Sequence, residues 1–328
     1  MSHTPRPAAG PGPGDPAAAR AHEGLVAALA RAGLPADPAW RAAFAAVPRH
    51  LFVPSYHALL PAGGHERLAA DDPDPAVRER WLRGVYEDTA LAIEVHQGSV
   101  RSSSSQPSLT ARMLDVLEVE DGHRALEIGT GSGYQAALLA HRLGDARVTS
   151  VDLDESLVDA ARARLAAAGH RPAVLAGDGV RGCPERAPFD RIVATCALPS
   201  VPRSWPEQCA PGAVVVAPLS TGLLVLRVRD GRRAEGRFLR TPVSFVPLRG
   251  EGGRPPRPYV GGLPKAALED EGFRFMLALT TGRLDPHEAL SLWRREGRPE
   301  RDRFGITVSG DHEWAWLDDP AGPYAWPL

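Results

Sequence analysis

The densest chemical signal in the chain is Glu127-Ile128-Gly129-Thr130-Gly131-Ser132-Gly133. Alternating glycines between a short apolar strand and a helix leave backbone N–H groups uncovered, so a nucleotide can approach the turn and the helix N-terminus closely. The spacing is G-x-G-x-G, and Tyr134 stands where the dinucleotide fingerprint places its third glycine. Asp152, with Leu153 beside it, closes the next strand, where a carboxylate accepts hydrogen bonds from both ribose hydroxyls. Asp178 and Gly179, within Gly177-Asp178-Gly179 after the third strand, are placed to meet an adenine amino group. Glu127 sets the sign of the ligand: a carboxylate just ahead of the loop opposes phosphates but suits a cationic sulfonium and its amino group. Glu127, Gly129, Thr130, Gly131, Gly133, Asp152, Leu153, Asp178 and Gly179 therefore point to S-adenosyl-L-methionine, with S-adenosyl-L-homocysteine left after transfer. The bland alternative is a tight strand-to-helix turn. Acids at the ends of three successive strands weigh against it.

These residues need a scaffold, and the surrounding pattern supplies one. Strands are expected at residues 125–128, 148–151, 173–176, 191–194 and 213–218, with helices near 134–143, 155–168 and 204–209. Such alternation implies an α/β, Rossmann-like fold with a mostly parallel, doubly wound sheet. Runs at 223–228 and 238–245 flank an Asp230-Gly231 turn and predict an antiparallel edge. Upstream, Leu25, Val26 and Leu29, then Trp40, Phe44 and Val47, mark two N-terminal helices ended by Pro48 and Pro54. Leu109, Met113 and Leu117 share one helix face, with Ser105 as candidate cap and Pro107 in the first turn. Residues 57–81 read as a long irregular surface cover.

The domain reading is a disordered tail over residues 1–20, a methyltransferase domain over 21–249, a linker over 250–264 and a small α+β C-terminal module over 265–328. The tail is rich in Pro, Gly and Ala, so ordering it would bury little. The module is expected to hold a helix starting at Asp285 and a hairpin of 304–308 with 314–317. Its aromatic residues, Trp293, Trp314, Trp316, Tyr324 and Trp326, either bury the module or frame a peptide entrance.

Composition narrows the function. A net charge of −2 over 328 residues offers no basic field for nucleic acid, and Lys265 is the sole lysine beside many arginines. Cys183, Cys196 and Cys209 lie far apart with no paired histidines, so no metal site is expected and the thiols read as reduced. No apolar run approaches a membrane span and no signal pattern opens the chain, so a cytoplasmic monomer with no membrane partner is expected.

Further motifs give the chain a family resemblance. They are Val47-Pro48-Arg49-His50-Leu51-Phe52-Val53-Pro54, Tyr86-Glu87-Asp88, Ser105-Gln106-Pro107, the loop from Glu127, Gly177-Asp178-Gly179 and Ala187-Pro188-Phe189-Asp190-Arg191-Ile192. Together they span about 43–218, and the chain resembles the protein-L-isoaspartate O-methyltransferase family. That resemblance implies a peptide carboxylate as acceptor, with Ser105 as the catalytic residue beside donor and acceptor and with Ser103, Ser104 and Ser105 contacting substrate. Two departures stand out: residues 94–104 are about five longer than in common repair enzymes, with Ala90 and Ala92 where prolines are usual, and a module follows residue 264. Both features resemble members associated with ribosomally made lanthipeptides and graspetides, which implies methylation of an aspartate in a macrocyclised precursor peptide, leading to aspartimide or isoaspartate. General isoaspartate repair is the alternative, and a non-catalytic peptide-binding module is a third reading.

Overall fold

The computed structural model describes residues 15–250 and 260–328. The chain divides into two compact units, one running to Gly122 and resuming over Thr130–Ala176, the other formed by His123–Gly129 and Gly177–Leu328.

The first unit opens with helices α1 (Pro16–Arg31) and α2 (Pro38–Ala46). Each begins Asp-Pro: Asp15 and Asp37 accept first-turn N–H groups, and the prolines occupy positions that need no donor. Residues 15–20 are therefore the cap and first turns of a helix rather than part of a disordered tail, whose residues 1–14 lie outside the described residues. Strands β1 (Ser55–Leu59) and β2 (His65–Ala69) form a hairpin turning through Gly63 and Gly64, both at positive φ. Helix α3 (Pro75–Val85) follows, capped by Asp74. Residues 57–81 are thus ordered elements, not an irregular cover. Their polar outer faces, and a buried stripe reduced to Trp81, Gly84 and Val85 in α3, conceal the periodicity. Trp81 fastens the insertion by donating its indole N–H to the Val53 carbonyl at 3.0 Å.

Strands β3 (Leu91–His96) and β4 (Ser99–Ser104) make a second hairpin over Gln97 and Gly98, both left-handed. The four strands form one sheet in the order β2-β1-β3-β4. Most of residues 94–104 are therefore paired strand. Helix α4 (Pro107–Val116) follows; its N-cap is Gln106, and Asp88 accepts the Ser108 N–H at 2.8 Å. Ser105 is not the cap, because a carboxylate from a neighbouring segment already serves the first turn.

Strand β5 (Ala125–Ile128) belongs to the second unit and runs through the glycine turn into α5 (Tyr134–Leu143) of the first. There β6 (Val148–Asp152) and β7 (Ala173–Ala176) pair in parallel, joined by α6 (Glu155–Ala167). Tyr134 anchors this core, with the rings of Phe44 and Phe52 at 6.3 and 5.9 Å.

In the second unit β5 pairs in parallel with β8 (Phe189–Ala194), and β8 with β9 (Cys209–Leu219) beyond the short α7 (Ser204–Glu207). Antiparallel strands β10 (Gly222–Asp230) and β11 (Arg233–Pro242) continue the sheet. Helices α8 (Lys265–Glu269), α9 (Glu271–Leu279) and α10 (Pro286–Arg295) precede β12 (Phe304–Ser309), β13 (His312–Leu317) and β14 (Ala325–Pro327). Here the structure differs from the expected separate C-terminal module: β12 pairs with β11 from Arg233 opposite Ser309 to Arg237 opposite Gly305, so β12, β13 and β14 extend the same sheet. Gly305 permits the join, since any side chain there would collide with the Trp316 ring. Of the expected linker, residues 251–259 lie outside the described residues.

Candidate active site

Each unit carries part of the predicted constellation. In the first, the glycine turn is tied to the next strand by its own backbone. Gly131, at φ +51°, donates its N–H to Asp152 Oδ2 at 3.0 Å, and Asp154 donates its N–H to Oδ1 at 3.2 Å. These two bonds hold the Asp152 carboxylate against the glycine turn. The Thr130 and Ser150 hydroxyls are 2.6 Å apart and buried, which fixes the start of the turn. Gly133 has φ +86°, and a Cβ there would stand 3.2 Å from the Ala161 methyl, so helix packing as well as backbone conformation demands glycine. Leu153 is 44% exposed, an apolar side chain left uncovered beside Asp152.

The serine run lies against this turn. A Cβ on Gly131 would meet the Ser103 carbonyl at 3.5 Å and Ser102 Oγ at 3.6 Å. Ser105 is half-buried, and its hydroxyl makes no hydrogen bond within the described chain. Ser104 differs from its expected substrate-facing role: it is 3% exposed and its hydroxyl is held by Arg49, because β4 alternation turns it inward.

Arg49 emerges as the residue that holds this segment. Fully buried, it donates to the carbonyls of Val85, Glu87, Thr89, Ser104 and Ser105 at 3.0–3.3 Å and to Ser104 Oγ at 3.4 Å. Burial pulls its guanidinium down to about 10, opposed by neighbouring groups including Tyr134 and Asp88. Even so it stays charged at neutral pH. The sequence pattern contained Arg49 in its most specific motif but gave no sign of what it binds, since its partners are backbone atoms 36–56 residues away.

In the second unit Glu127 is 1% exposed within β5. Gly129, at φ +94°, offers a cradle that a Cβ would fill, since that atom would lie 2.5 Å from Thr195 Oγ1, which donates to the Gly129 carbonyl at 2.7 Å. Asp178 accepts the Val180 N–H at 2.9 Å and so orders the turn that carries Gly179. Sequence reasoning missed the segment that closes over this turn. Val246 and Leu248 bridge Ala197 by backbone hydrogen bonds of 2.8 and 2.9 Å, the Leu248 methyl lies 3.3 Å from where a Gly179 Cβ would be, and Gly250 leaves space for the Asp178 carboxylate. Arginine, glycine and proline dominate that stretch, which hides its role. The expectation that aromatic residues frame a peptide entrance is also revised for three of them: Trp293, Trp316 and Trp326 are 4%, 1% and 6% exposed and form core.

Taken unit by unit, the chemistry suits an adenosyl sulfonium: in the first a carboxylate is tied to the glycine turn, and in the second a buried acid precedes a left-handed glycine and an Asp-Gly turn is ordered. Among the described residues no cluster of metal-ligating side chains occurs. The fold and site define a class I S-adenosylmethionine-dependent methyltransferase. Comparison sharpens the class. The profile of the protein-L-isoaspartate(D-aspartate) O-methyltransferase family matches residues 72–252. The chain is 43% identical over 180 residues to the protein-L-isoaspartate O-methyltransferase of Azorhizobium caulinodans, covering 53% of this chain and 77% of that one. It is 38% identical over 238 residues to that of Methanoculleus marisnigri, covering 71% and 94%. A solved protein-L-isoaspartate O-methyltransferase superposes with a TM-score of 0.62 at 21% identity over 94% of this chain and 99% of its own. The Plasmodium falciparum beta-aspartate methyltransferase, solved with S-adenosyl-L-homocysteine, gives 0.52 at 18% identity over 70% and 98%. The chain belongs to the protein-L-isoaspartate O-methyltransferase family and is an S-adenosylmethionine-dependent carboxyl methyltransferase.

Proposed function

We propose that this enzyme methylates an aspartyl-derived carboxylate in a peptide, and that its own substrate is the aspartate side chain of a ribosomally made, macrocyclised precursor. The free Ser105 hydroxyl carries the first part of this reading. Every backbone carbonyl of Ser104 and Ser105 is engaged by Arg49, whereas Ser105 Oγ is left to donate to an incoming carboxylate oxygen. A carboxylate with an ordinary pKa near 4 is ionised at neutral pH, so no general base is required. The chain has to orient the oxygen in line and exclude water. When bound, S-adenosylmethionine supplies the electrophilic methyl. Glu127, Gly129, Thr130, Gly131, Gly133, Asp152, Leu153, Asp178 and Gly179 would hold it. The ester then activates the acyl carbon. Attack by the following main-chain nitrogen expels methanol, and its amide proton ends on the alcohol, giving an aspartimide that addition of water opens to isoaspartate.

Support for the narrower substrate is the β2-β1-β3-β4 sheet, whose β1–β2 hairpin lies outside residues 72–252 matched by the family profile and whose last strand runs into Ser105. Repair of L-isoaspartyl residues is the second reading, favoured by the names of the relatives. Presenting the enzyme with a linear isoaspartyl peptide and a side-chain-cyclised aspartyl peptide, and following methyl gain by mass spectrometry, separates them. Turnover of the macrocycle alone is expected; exclusive turnover of the linear isoaspartyl peptide would establish repair instead.

A further inference from the structure

Among the described residues, the β1–β2 hairpin is wired directly into the strand that leads to Ser105. Arg67 on β2 stands opposite His57 on β1, His57 opposite Ala92 on β3, and Ala92 opposite Ser103 on β4. One transverse row thus crosses all four strands. Alternation of side chains places the row on one sheet face, away from Tyr56, Leu68, Leu91 and Ser104, which are all buried. Helix α3 covers that buried face: Tyr56 donates its hydroxyl to the Arg80 carbonyl at 3.4 Å, and Arg80 pairs with Glu66, which shares the face of Leu68. Arg67 is exposed, His57, Ala92 and Ser103 are half-buried, and Leu59 at the edge is 74% exposed. Arg67 has no ion pair or hydrogen bond among the described residues. Its charge is therefore available, and the small Ala92 leaves the path between His57 and Ser103 low.

We propose that this row is a substrate track on which Arg67, flanked by His57, receives an acidic side chain of the peptide about four to five residues from the methylated aspartyl group. The inference rests on the reading that a peptide carboxylate is methylated beside Ser105. Three inter-strand steps of about 4.8 Å and two residues of about 3.4 Å along the last strand place the Arg67 backbone about 16 Å from Ser105, a span that an extended peptide covers in about four to five residues. Arg67 is a specificity residue in this account, acting on peptide affinity rather than on methyl transfer. Because the pair would form at an exposed site, its effect is modest, about two- to fivefold.

The test uses the full chain with S-adenosylhomocysteine for binding and S-adenosylmethionine for turnover. Acceptor peptides differ only in carrying Glu, Gln or Lys about four or about five residues to either side of the aspartyl position. Wild type should bind them in the order Glu, Gln, Lys at low salt, with the difference in KM appearing as it does in Kd. Arg67→Gln should level the series and Arg67→Glu should invert it, while both variants melt with wild type. Lack of charge preference in wild type would overturn the proposal, as would a preference retained by Arg67→Gln. Failure to methylate any peptide would overturn the functional reading instead, and the binding series would still decide the role of Arg67.

Discussion

Replacing Arg49 with methionine keeps most of the side-chain volume but removes every donor that ties the Ser104-Ser105 backbone to Val85, Glu87 and Thr89. Glu87 and Thr89 are exposed and can turn their carbonyls to water, whereas Val85 and Ser104 are buried. Two stranded carbonyls cost about 1–3 kcal/mol each. Part of that is offset because a charge without a carboxylate partner no longer has to be buried. The net destabilisation should be about 2–4 kcal/mol, which lowers the melting temperature by roughly 4–16 °C for a unit of this size. Turnover should fall at least about tenfold, since a loss of 1.4 kcal/mol in transition-state positioning is sufficient. Thermal unfolding gives the first quantity and methyl transfer the second, and added guanidinium should restore part of the activity of Arg49→Ala. A methionine variant that melts within about 2 °C of wild type and turns over normally would refute the assignment of Arg49 as the frame of Ser105.

Other consequences are equally direct. Asp152→Ala should weaken S-adenosylhomocysteine binding by about 10- to 100-fold in calorimetry, from loss of charged hydrogen bonds to the ribose and release of the Gly131 N–H. Gly129→Ala forces a Cβ into a φ of +94° and to 2.5 Å from Thr195 Oγ1, so binding should be lost together with about 1–3 kcal/mol of stability in denaturant titration. Glu313, which accepts the Val201 N–H at 2.9 Å, is raised by burial to about 7. A carboxyl raised in the folded state stabilises fully below its usual 4.5 and loses that contribution as pH climbs through 7. Wild type should therefore lose up to about 3 kcal/mol from this group between pH 4.5 and 8, and Glu313→Gln should flatten the melting profile over that window.

The nucleotide-binding half was legible because its signals are local. Apolar runs mark β5, β6 and β8, glycines mark the left-handed turns, and Asp152 and Asp178 follow strands by short, fixed offsets. What stayed hidden depends on partners remote in sequence. The hairpin of β12 and β13 was readable from its own alternation, but its pairing with β11 was not, because nothing local distinguishes a closed module from a strand that extends a sheet. β1, β2 and α3 bury too few residues to show a period. Ser105 reads equally well as a helix cap until Asp88 is seen serving the helix start. Arg49 and the segment from Val246 to Gly250 act mainly through backbone atoms and close packing, which no spacing of side-chain types reveals.

The most direct measurement is transfer of an isotopically labelled methyl group from S-adenosylmethionine to aspartyl and isoaspartyl peptides, comparing wild type with Ser105→Ala. A base-labile ester on a carboxylate is expected, formed at least about tenfold more slowly by the variant while its affinity for S-adenosylhomocysteine is unchanged. A base-stable methyl group on nitrogen or sulfur, or equal rates for the two proteins, would contradict it.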